Sequence, residues 1–259
     1  LVGIGTGDPG HLTLGAVAAL NRADLILLPV KAGERGELAA LRRALCATHL
    51  NDPAPPITAF EMPERDPAIA DYDARVRTWH DAIAARWAAA MSAGGRAPAS
   101  VALLVWGDPS LYDSTLRIAE RLQADGAISA VHVVPGITAI QALCAAHRIP
   151  LNGIGRPVLV TTGRRLRADG WPADIPTVVV MLDGQCAFTT LLDRDLHIWW
   201  GAYLGMDREM LVAGPLAEVA DRILAERQAA RDRHGWIMDT YLLSAAAGRR
   251  TRRRRGGLR

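Results

Sequence analysis

The sequence predicts an α/β protein built from two lobes. Short apolar runs alternate with helical patterns nearly throughout the chain, which is typical of a fold whose strands are largely parallel. The chain has 259 residues, more than a typical domain of roughly 150, yet it contains no long polar linker. The strand and helix rhythm restarts near residue 135. We therefore expect lobes over residues 1–134 and 135–247, followed by a basic, disordered tail over residues 248–259.

Strands are predicted where a short run is dominated by apolar and β-branched residues. The eight predicted strands cover residues 1–4, 25–30, 101–106, 131–134, 158–162, 177–182, 197–204 and 236–243. Residues 50–63 are rich in Pro, Asn and Asp, which predicts a loop.

The clearest predicted helix begins at Asp66-Pro67 and ends near Gly94-Gly95. Asp can cap free backbone N–H groups, and Pro suits the first helical turn. Apolar residues recur every three or four positions along this helix, and we interpret the stripe, its aromatic residues included, as core. Further helices are predicted over residues 12–20, 114–125 and 217–233, and after Pro135-Gly136.

Composition argues against several classes of protein. The three cysteines form no C-x-x-C pair and the histidines form no close cluster, so neither a disulfide framework nor a zinc site is indicated. No apolar run approaches the roughly 18 residues of a membrane span. We expect a cytoplasmic protein with no membrane partner and no metal.

The net charge of +3 is dominated by the end of the chain. Seven arginines among residues 249–259 contribute +7, so residues 1–248 carry −4. Nucleic-acid binding requires clustered cations along a groove, which an acidic body does not offer. We therefore expect no nucleic-acid partner, with a polyanion contact of the tail as the alternative.

A glycine loop follows the first predicted strand. Gly5, Gly7 and Gly10 have the spacing G-x-G-x-x-G, which lets the backbone turn tightly and approach a ligand. The same spacing describes the loop of a dinucleotide-binding Rossmann fold. Pro9 argues against that alternative because it removes a backbone donor, and the second strand lacks the acid expected to bind the ribose.

A second loop repeats the Gly-Asp-Pro of the first. Gly107-Asp108-Pro109 also follows an apolar strand, so two sharp turns and two carboxylates, of Asp8 and Asp108, are predicted at the rim where α/β sheets bind ligands. Either aspartate could instead only cap the helix that follows it. A third turn, at Pro135-Gly136, again follows a predicted strand.

These segments resemble the tetrapyrrole methylase superfamily over residues 1–243. The resemblance rests on the order Val2-Gly-Ile-Gly-Thr-Gly-Asp-Pro-Gly10, Leu104-Val-Trp-Gly-Asp-Pro109 and Val134-Pro-Gly-Ile-Thr-Ala139. It implies two α/β lobes, with the active site in the cleft between them and S-adenosylmethionine as the methyl donor. Thr6 stands where relatives commonly have Pro, which changes the stiffness of the loop.

Within the superfamily, residues 106–118, 163–166 and 235–242 look most like one branch. That branch methylates carbon 1 of precorrin-5 and releases a two-carbon fragment as acetate. The resemblance implies that the donor is held by Gly107, Asp108, Pro109, Thr138, Ala139, Leu182, Gly201, Ala202 and Thr240. For Leu182 the alternative is a plain core residue.

The resemblance also implies an acidic tetrapyrrole substrate and a homodimer. Cations should meet the substrate carboxylates, and the candidates are Lys31, Arg42 and Arg117; Gly5, Thr6 and Gly7 are expected to form the wall beside the reacting carbon. Release of acetate requires a group that directs water at the acyl carbon, and the candidates are Asp8, His11 and Tyr112.

Three alternatives to this interpretation remain at this point. The chain could methylate another tetrapyrrole carbon, it could be a nicotinamide-dependent Rossmann oxidoreductase, or it could be a module that binds the donor without turnover. Methyl transfer from a sulfonium depends mainly on positioning, so the lack of a nucleophile triad does not argue against a methyltransferase.

Overall fold

The computed structural model describes residues 1–31, 37–95 and 97–245. The chain divides into two compact units, Leu1–Thr138 and Ala139–Arg259. The predicted tail over residues 248–259 lies outside the described residues, as does the side chain of Lys31.

The first unit is built on a parallel sheet with the strand order β1-β4-β2-β3. Its strands are β1 (Val2–Gly3), β2 (Leu25–Lys31), β3 (Ile57–Met62) and β4 (Val101–Val105). Its helices are α1 (Leu14–Asn21), α2 (Glu37–His49), α3 (Tyr72–Ser92) and α4 (Thr115–Ala124).

Both faces of this sheet are buried. Leu25 and Leu27 of β2 pack in one cluster with residues of α3 and α4, while Ile26 packs in the opposite cluster with residues of α1 and α2. Successive side chains of a strand point to opposite faces, so a sheet covered on both sides needs a continuous apolar run rather than an alternating one. This explains the sequence Leu25-Ile-Leu-Leu28.

Two predictions for the first unit are wrong. Residues 57–62, predicted as loop, form β3 beside β2; half of the residues of this edge strand are exposed and only Phe60 is buried, so it shows little of the expected apolar pattern. The predicted strand over residues 131–134 is reduced to an isolated parallel bridge between Val134 and Val2.

The long helix begins later than predicted. It starts at Tyr72, and the Asp71 carboxylate accepts a hydrogen bond from the Ala74 N–H at 2.6 Å, while Asp66 closes a local turn with Ala68 at 2.8 Å. The core interpretation of its stripe is confirmed at Trp87, which is buried, but Tyr72 is exposed. Both aspartates are good caps, and the sequence pattern does not distinguish them.

The second unit is a mixed sheet with the strand order β5-β6-β9-β7-β8. Its strands are β5 (Val158–Thr162), β6 (Thr177–Met181), β7 (Leu196–Ala202), β8 (Met210–Pro215) and β9 (Asp239–Ala245), and its helices are α5 (Ala139–His147), α6 (Gly163–Asp169) and α7 (Leu216–His234). Only the pair β5 and β6 is parallel.

The prediction of largely parallel strands is therefore wrong for this unit. Its β8 was also missed, because Gly214 and Pro215 interrupt the pattern; edge strands tolerate both residue types. The predicted final helix over residues 217–233 is confirmed within one residue at each end. The core of the second unit contains large, fully buried side chains, among them Trp200 and Tyr241.

Candidate active site

Three turns of the first unit meet at the carboxyl edge of its sheet. The Gly107 N–H donates to the Gly5 carbonyl at 2.8 Å, and the Gly5 N–H donates back to the Gly107 carbonyl at 3.4 Å. On the other side of β1, the Gly3 N–H donates to the Val134 carbonyl at 2.9 Å. The two Gly-Asp-Pro loops and the Pro135-Gly136 turn are therefore joined directly through their backbones.

Glycine is required where these turns touch. A Cβ on Gly136 would lie 2.1 Å from the Gly107 carbonyl oxygen and 2.8 Å from the Gly3 carbonyl carbon, and a Cβ on Gly3 would lie 2.6 Å from the Gly136 nitrogen. Gly5, at φ +75°, would place a Cβ 2.4 Å from that of His11. These glycines allow the turns to pack against each other, a use that the spacing motif did not predict.

Asp108 ties the second loop to the third turn. Its Oδ1 accepts hydrogen bonds from the Ser110 N–H at 2.8 Å and from the Ser110 hydroxyl, while its Oδ2 accepts from the Gly136 N–H at 2.8 Å. Burial raises the pKa of this carboxyl, but the three hydrogen bonds outweigh it and leave the pKa below its ordinary value. Asp108 therefore stays charged at neutral pH and fixes its loop. The alternative that it caps the following helix is wrong, because α4 begins at Thr115 with Ser114 as its N-cap, away from the bonds of Asp108.

In the opening loop, the side chains of Asp8, His11 and Thr6 lie beside one another in that spatial order. Asp8 Oδ2 lies 4.0 Å from His11 Nε2, and His11 Nδ1 lies 3.0 Å from the Thr6 hydroxyl. Thr6 is buried, whereas the Asp8 side chain is half exposed. Asp8 also accepts a hydrogen bond from the Gly10 N–H at 2.7 Å, so it caps a short 3-10 turn over Pro9–His11.

Tyr112 follows the second loop with φ +50° and is 44% exposed. Partial burial raises the pKa of its phenol, so at neutral pH the group is a hydrogen-bond donor rather than a base. The three candidate catalytic residues thus lie on two hydrogen-bonded loops, and only Asp8 and His11 are within ion-pair distance of each other in the described contacts.

The candidate cations lie on separate elements of the first unit. Lys31 is the last residue of β2, where it pairs with Met62. The Arg42 guanidinium donates to the Leu38 carbonyl of its own helix at 3.5 Å, and the Arg117 guanidinium donates to the Asp113 carbonyl at 3.0 Å. That these three residues bind the carboxylates of a substrate stays a prediction.

The predicted donor residues of the second unit meet at one edge of its sheet. In the register of β7 and β9, Gly201 pairs with Thr240. Leu182 directly follows β6, whose Val180 pairs with Tyr241, so it emerges at the same edge. A Cβ on Gly201 would lie 2.7 Å from Leu204, and Ala202 is fully buried, so the segment must be small.

Two side chains at this edge, those of Thr240 and Leu182, differ in their exposure to solvent. The Thr240 hydroxyl is buried and donates to the Val180 carbonyl at 2.8 Å, so this hydroxyl is already used within the sheet. Leu182 is 66% exposed with φ +53°, which rules out the alternative of a plain core residue. A left-handed conformation costs a non-glycine residue about 1–2 kcal/mol and is maintained only by its surroundings.

Sequence reasoning missed the polar groups behind this edge. Asp183, Arg227, Asp239 and Tyr241 form hydrogen bonds or ion pairs with one another or with neighbouring backbone, and all lie below the surface. The signal available was Asp183-Gly184 shortly after an apolar strand: Asp183 is the second residue after β6, much as Asp108 is the third residue after β4. In the part of the chain that the structure describes, no group of three or more His, Cys, Asp or Glu side chains could hold a metal ion. No helix among the described residues is long and apolar enough to cross a membrane.

The arrangement in the first unit is that of an α/β protein that binds a ligand at the carboxyl edge of its sheet. A family profile described as Tetrapyrrole (Corrin/Porphyrin) Methylases matches residues 1–220. The chain belongs to this family. It is also 48% identical over 248 residues to a precorrin-6A synthase [deacetylating] of Sinorhizobium sp., covering 95% of each protein.

Solved structures agree with this assignment. The crystal structure of a cobalamin synthesis related protein (CobF) from Corynebacterium diphtheriae is 40% identical, with a TM-score of 0.79 and coverage of 94% of this chain and 96% of that one. A uroporphyrin-III C-methyl transferase from Thermus thermophilus, complexed with S-adenyl homocysteine, aligns with a TM-score of 0.54 over 94% and 95% of the two chains. At 20% identity, this second likeness shows the fold alone.

Proposed function

We propose that this chain transfers a methyl group from S-adenosylmethionine to carbon 1 of precorrin-5, with loss of acetate, giving precorrin-6A and S-adenosylhomocysteine. The observation that carries the proposal is the 48% identity to a deacetylating precorrin-6A synthase over 95% of both chains. The 40% identity to the CobF structure, over 94% of this chain and 96% of that one, also supports it.

For the methyl donor we propose the contacts that the family resemblance implies. They are Gly107, Asp108, Pro109, Thr138, Ala139, Leu182, Gly201, Ala202 and Thr240. The fit is supported by turns without bulky side chains, by the exposed apolar surface of Leu182 and by backbone groups at strand ends. The carboxylate of Asp108 already accepts three hydrogen bonds from protein groups, so we assign it the role of holding its loop.

The chemistry of the first step requires mainly positioning. The donor supplies a methyl group activated by the positive charge of its sulfonium, and the acceptor carbon must be held in line with it. Rigid turns serve this purpose, because a misplacement of about 1 Å can reduce the rate about 100-fold. The interlocked backbones of Gly3, Gly107 and Gly136 are the described features that supply this rigidity.

For acetate release we propose that Asp8 and His11 direct a water molecule at the acyl carbon. The water oxygen bonds to the acyl carbon and becomes part of the acetate, the proton that the water loses passes to the pair of Asp8 and His11, and the bonding electrons of the broken carbon–carbon bond return to the macrocycle. Thr6 orients the imidazole through Nδ1, which leaves Nε2 facing Asp8. Tyr112 is assigned as a hydrogen-bond donor, since its pKa is raised by burial.

The substrate carries several carboxylates, and we propose that Lys31, Arg42 and Arg117 bind them, beside a wall formed by Gly5, Thr6 and Gly7. The homodimer and the cytoplasmic location also stay proposals, supported by the family resemblance. Sedimentation of the purified protein measures the first, and fractionation of cells measures the second.

Calorimetry tests the choice of donor. The purified protein is titrated with S-adenosylhomocysteine and, separately, with NADPH. The proposal predicts saturable binding of the thioether and no heat with the nicotinamide. The reverse pattern would show that the glycine loop belongs to an oxidoreductase.

Replacing His11 tests the assignment of the acetate step. His11→Asn is expected to slow acetate release about 100-fold, the lower end of the usual range for a general base, while S-adenosylhomocysteine binds as in the wild type. His132→Asn changes an exposed histidine of the same unit and serves as the matched control. Wild-type rates of acetate release in both His11→Asn and Asp8→Asn would remove this pair from the mechanism.

A further inference from the structure

A buried carboxylate lies directly behind Leu182. Asp183 is 7% exposed, and its Oδ2 accepts hydrogen bonds from the Tyr241 hydroxyl at 2.7 Å and from the Ala187 N–H at 2.5 Å. Its Oδ1 accepts from the Gln185 N–H at 3.1 Å. The carboxylate therefore fixes the backbone of the turn over residues 182–187 and attaches it to β9.

A buried arginine connects the same turn to the start of β9. The Arg227 guanidinium donates to the main-chain carbonyl of Asp183 at 2.9 Å and to the Asp239 carboxylate at 3.0 Å. Asp239 Oδ2 also accepts from the Trp200 indole N–H at 2.9 Å. Asp239 immediately precedes Thr240 and pairs with Ala202, so this ion pair sets the end of β9 that carries the predicted donor contacts.

The turn that this network holds is conformationally strained. Leu182 and Cys186 both have φ +53°, so left-handed residues stand at each end of the turn. Gly163, the first residue of α6, packs so closely that a Cβ there would lie 2.2 Å from the Asp183 carboxyl carbon. Strained residues persist where the surrounding structure over-determines them, and they cluster at ligand sites.

We infer that Asp183 and Arg227 are positioning residues for the methyl donor: they hold Leu182 and Thr240 in the conformation that binds it. The inference rests on the proposed function, because it takes those two residues as donor contacts. Neither Asp183 nor Arg227 acts on the donor directly, since both are more than nine-tenths buried. Their effect is transmitted through the turn over residues 182–187 and through the first residues of β9.

The role of the buried ion pair between Arg227 and Asp239 follows from the energetics of buried charges. A buried ion pair often adds little net stability compared with an apolar pair, but removing one partner leaves an uncompensated charge. Such a pair is best suited to fixing one conformation. Burial alone would lower the pKa of Arg227, but the hydrogen bond and the charge of Asp239 outweigh it and raise the pKa, so Arg227 is charged at neutral pH.

The test compares Asp183→Ala with the conservative Asp183→Asn. With its amide oxygen in the position of Oδ2, asparagine can still accept from the Ala187 N–H and the Tyr241 hydroxyl and loses only the bond from the Gln185 N–H, whereas alanine removes all three hydrogen bonds. Arg222→Gln is the matched control, because Arg222 lies on α7 like Arg227 but forms only an exposed ion pair with Glu226. Each variant is measured well below its own unfolding temperature, which separates positioning from loss of fold.

Asp183→Ala is expected to raise the Kd for S-adenosylhomocysteine and the KM for the donor at least about tenfold, while the KM for the tetrapyrrole changes less than about twofold. Asp183→Asn should recover most of the donor affinity, and Arg222→Gln should match the wild type. A folded Asp183→Ala that binds the thioether as tightly as the wild type overturns the inference. So does an equal rise in both KM values.

If Asp183→Ala does not fold, the variant Tyr241→Phe tests the inference in its place. It removes one hydroxyl and leaves the ring in the core, with an expected rise of about threefold to tenfold in the Kd for S-adenosylhomocysteine. An unchanged Kd in this folded variant overturns the inference. A wild-type protein that binds no S-adenosylhomocysteine contradicts the proposed function instead, so the two failures are distinguishable.

Discussion

Gly136→Ala should loosen the first unit at the junction of its three turns. The added Cβ would lie 2.1 Å from the Gly107 carbonyl oxygen and 2.8–2.9 Å from backbone atoms of Gly3, where contacts under 3.0 Å are essentially never observed. All of these neighbours are backbone, so no side chain can move aside. The Pro135-Gly136 turn must shift by about 1 Å relative to the strand ends that it contacts.

The expected loss of stability in Gly136→Ala follows from the contacts that such a shift breaks. Losing the hydrogen bond from the Gly136 N–H to the charged Asp108 carboxylate is expected to destabilise by about 1.5–3 kcal/mol, and overpacking adds about 1–3 kcal/mol. The total of about 2.5–6 kcal/mol is a large share of a typical stability of about 5–15 kcal/mol. At roughly 2–4 °C per kcal/mol, the Tm should fall by about 5–24 °C.

Thermal unfolding followed by circular dichroism checks this prediction. Gly94→Ala is the matched control, because a Cβ at Gly94 meets nothing within 4 Å and its φ is not left-handed; its stability should stay within about 0.5 kcal/mol of the wild type. A Gly136→Ala variant that unfolds with the wild-type Tm would refute the claim that close backbone packing requires this glycine.

Three further predictions follow from individual contacts. Gly201→Ala should destabilise by less than Gly136→Ala, by about 1–3 kcal/mol, because its Cβ would meet the movable side chains of Leu204 and Leu143 at 2.7 and 2.9 Å; unfolding in urea measures the difference. Since the pKa of Asp108 lies below its ordinary value of 3.8, its contribution is complete at neutral pH and is lost as the pH falls below that value, so the stability gap to Asp108→Asn should shrink between pH 7 and pH 3. Tyr241→Phe should lower the free energy of unfolding by about 1–3 kcal/mol in urea titrations, because a buried carboxylate loses a donor; a gap below about 0.3 kcal/mol would contradict the buried hydrogen bond.

The sequence was sufficient to predict the loops of the site but not their internal contacts. Gly-Asp-Pro after an apolar strand predicts a turn at the carboxyl edge, and both such turns are confirmed, with positive φ at Gly7 and at Gly107. The sequence does not show that Gly3 and Gly136 pack backbone against backbone, since these two residues are far apart along the chain. Close approach of distant segments is a tertiary property that a local pattern does not contain.

The errors in the fold have a common physical origin. The strands β3 and β8, both missed, are edge strands, where Pro and Gly are tolerated and one side of the strand lacks a partner. The mixed direction of the second sheet was missed because an apolar run of similar length fits a parallel or an antiparallel strand equally well. Asp183 was missed because a buried acid is recognised by its partners, and these lie on α7 and β9.

The most direct test of the central claim is the stoichiometry of turnover on precorrin-5. The protein is incubated with precorrin-5 and S-adenosylmethionine, and acetate and S-adenosylhomocysteine are quantified together over time. The proposed reaction requires that both products form in equal amounts, and that neither forms when the tetrapyrrole is omitted. Methyl transfer without acetate would place the chain at another step of tetrapyrrole methylation, and the absence of both products would contradict the proposed activity itself.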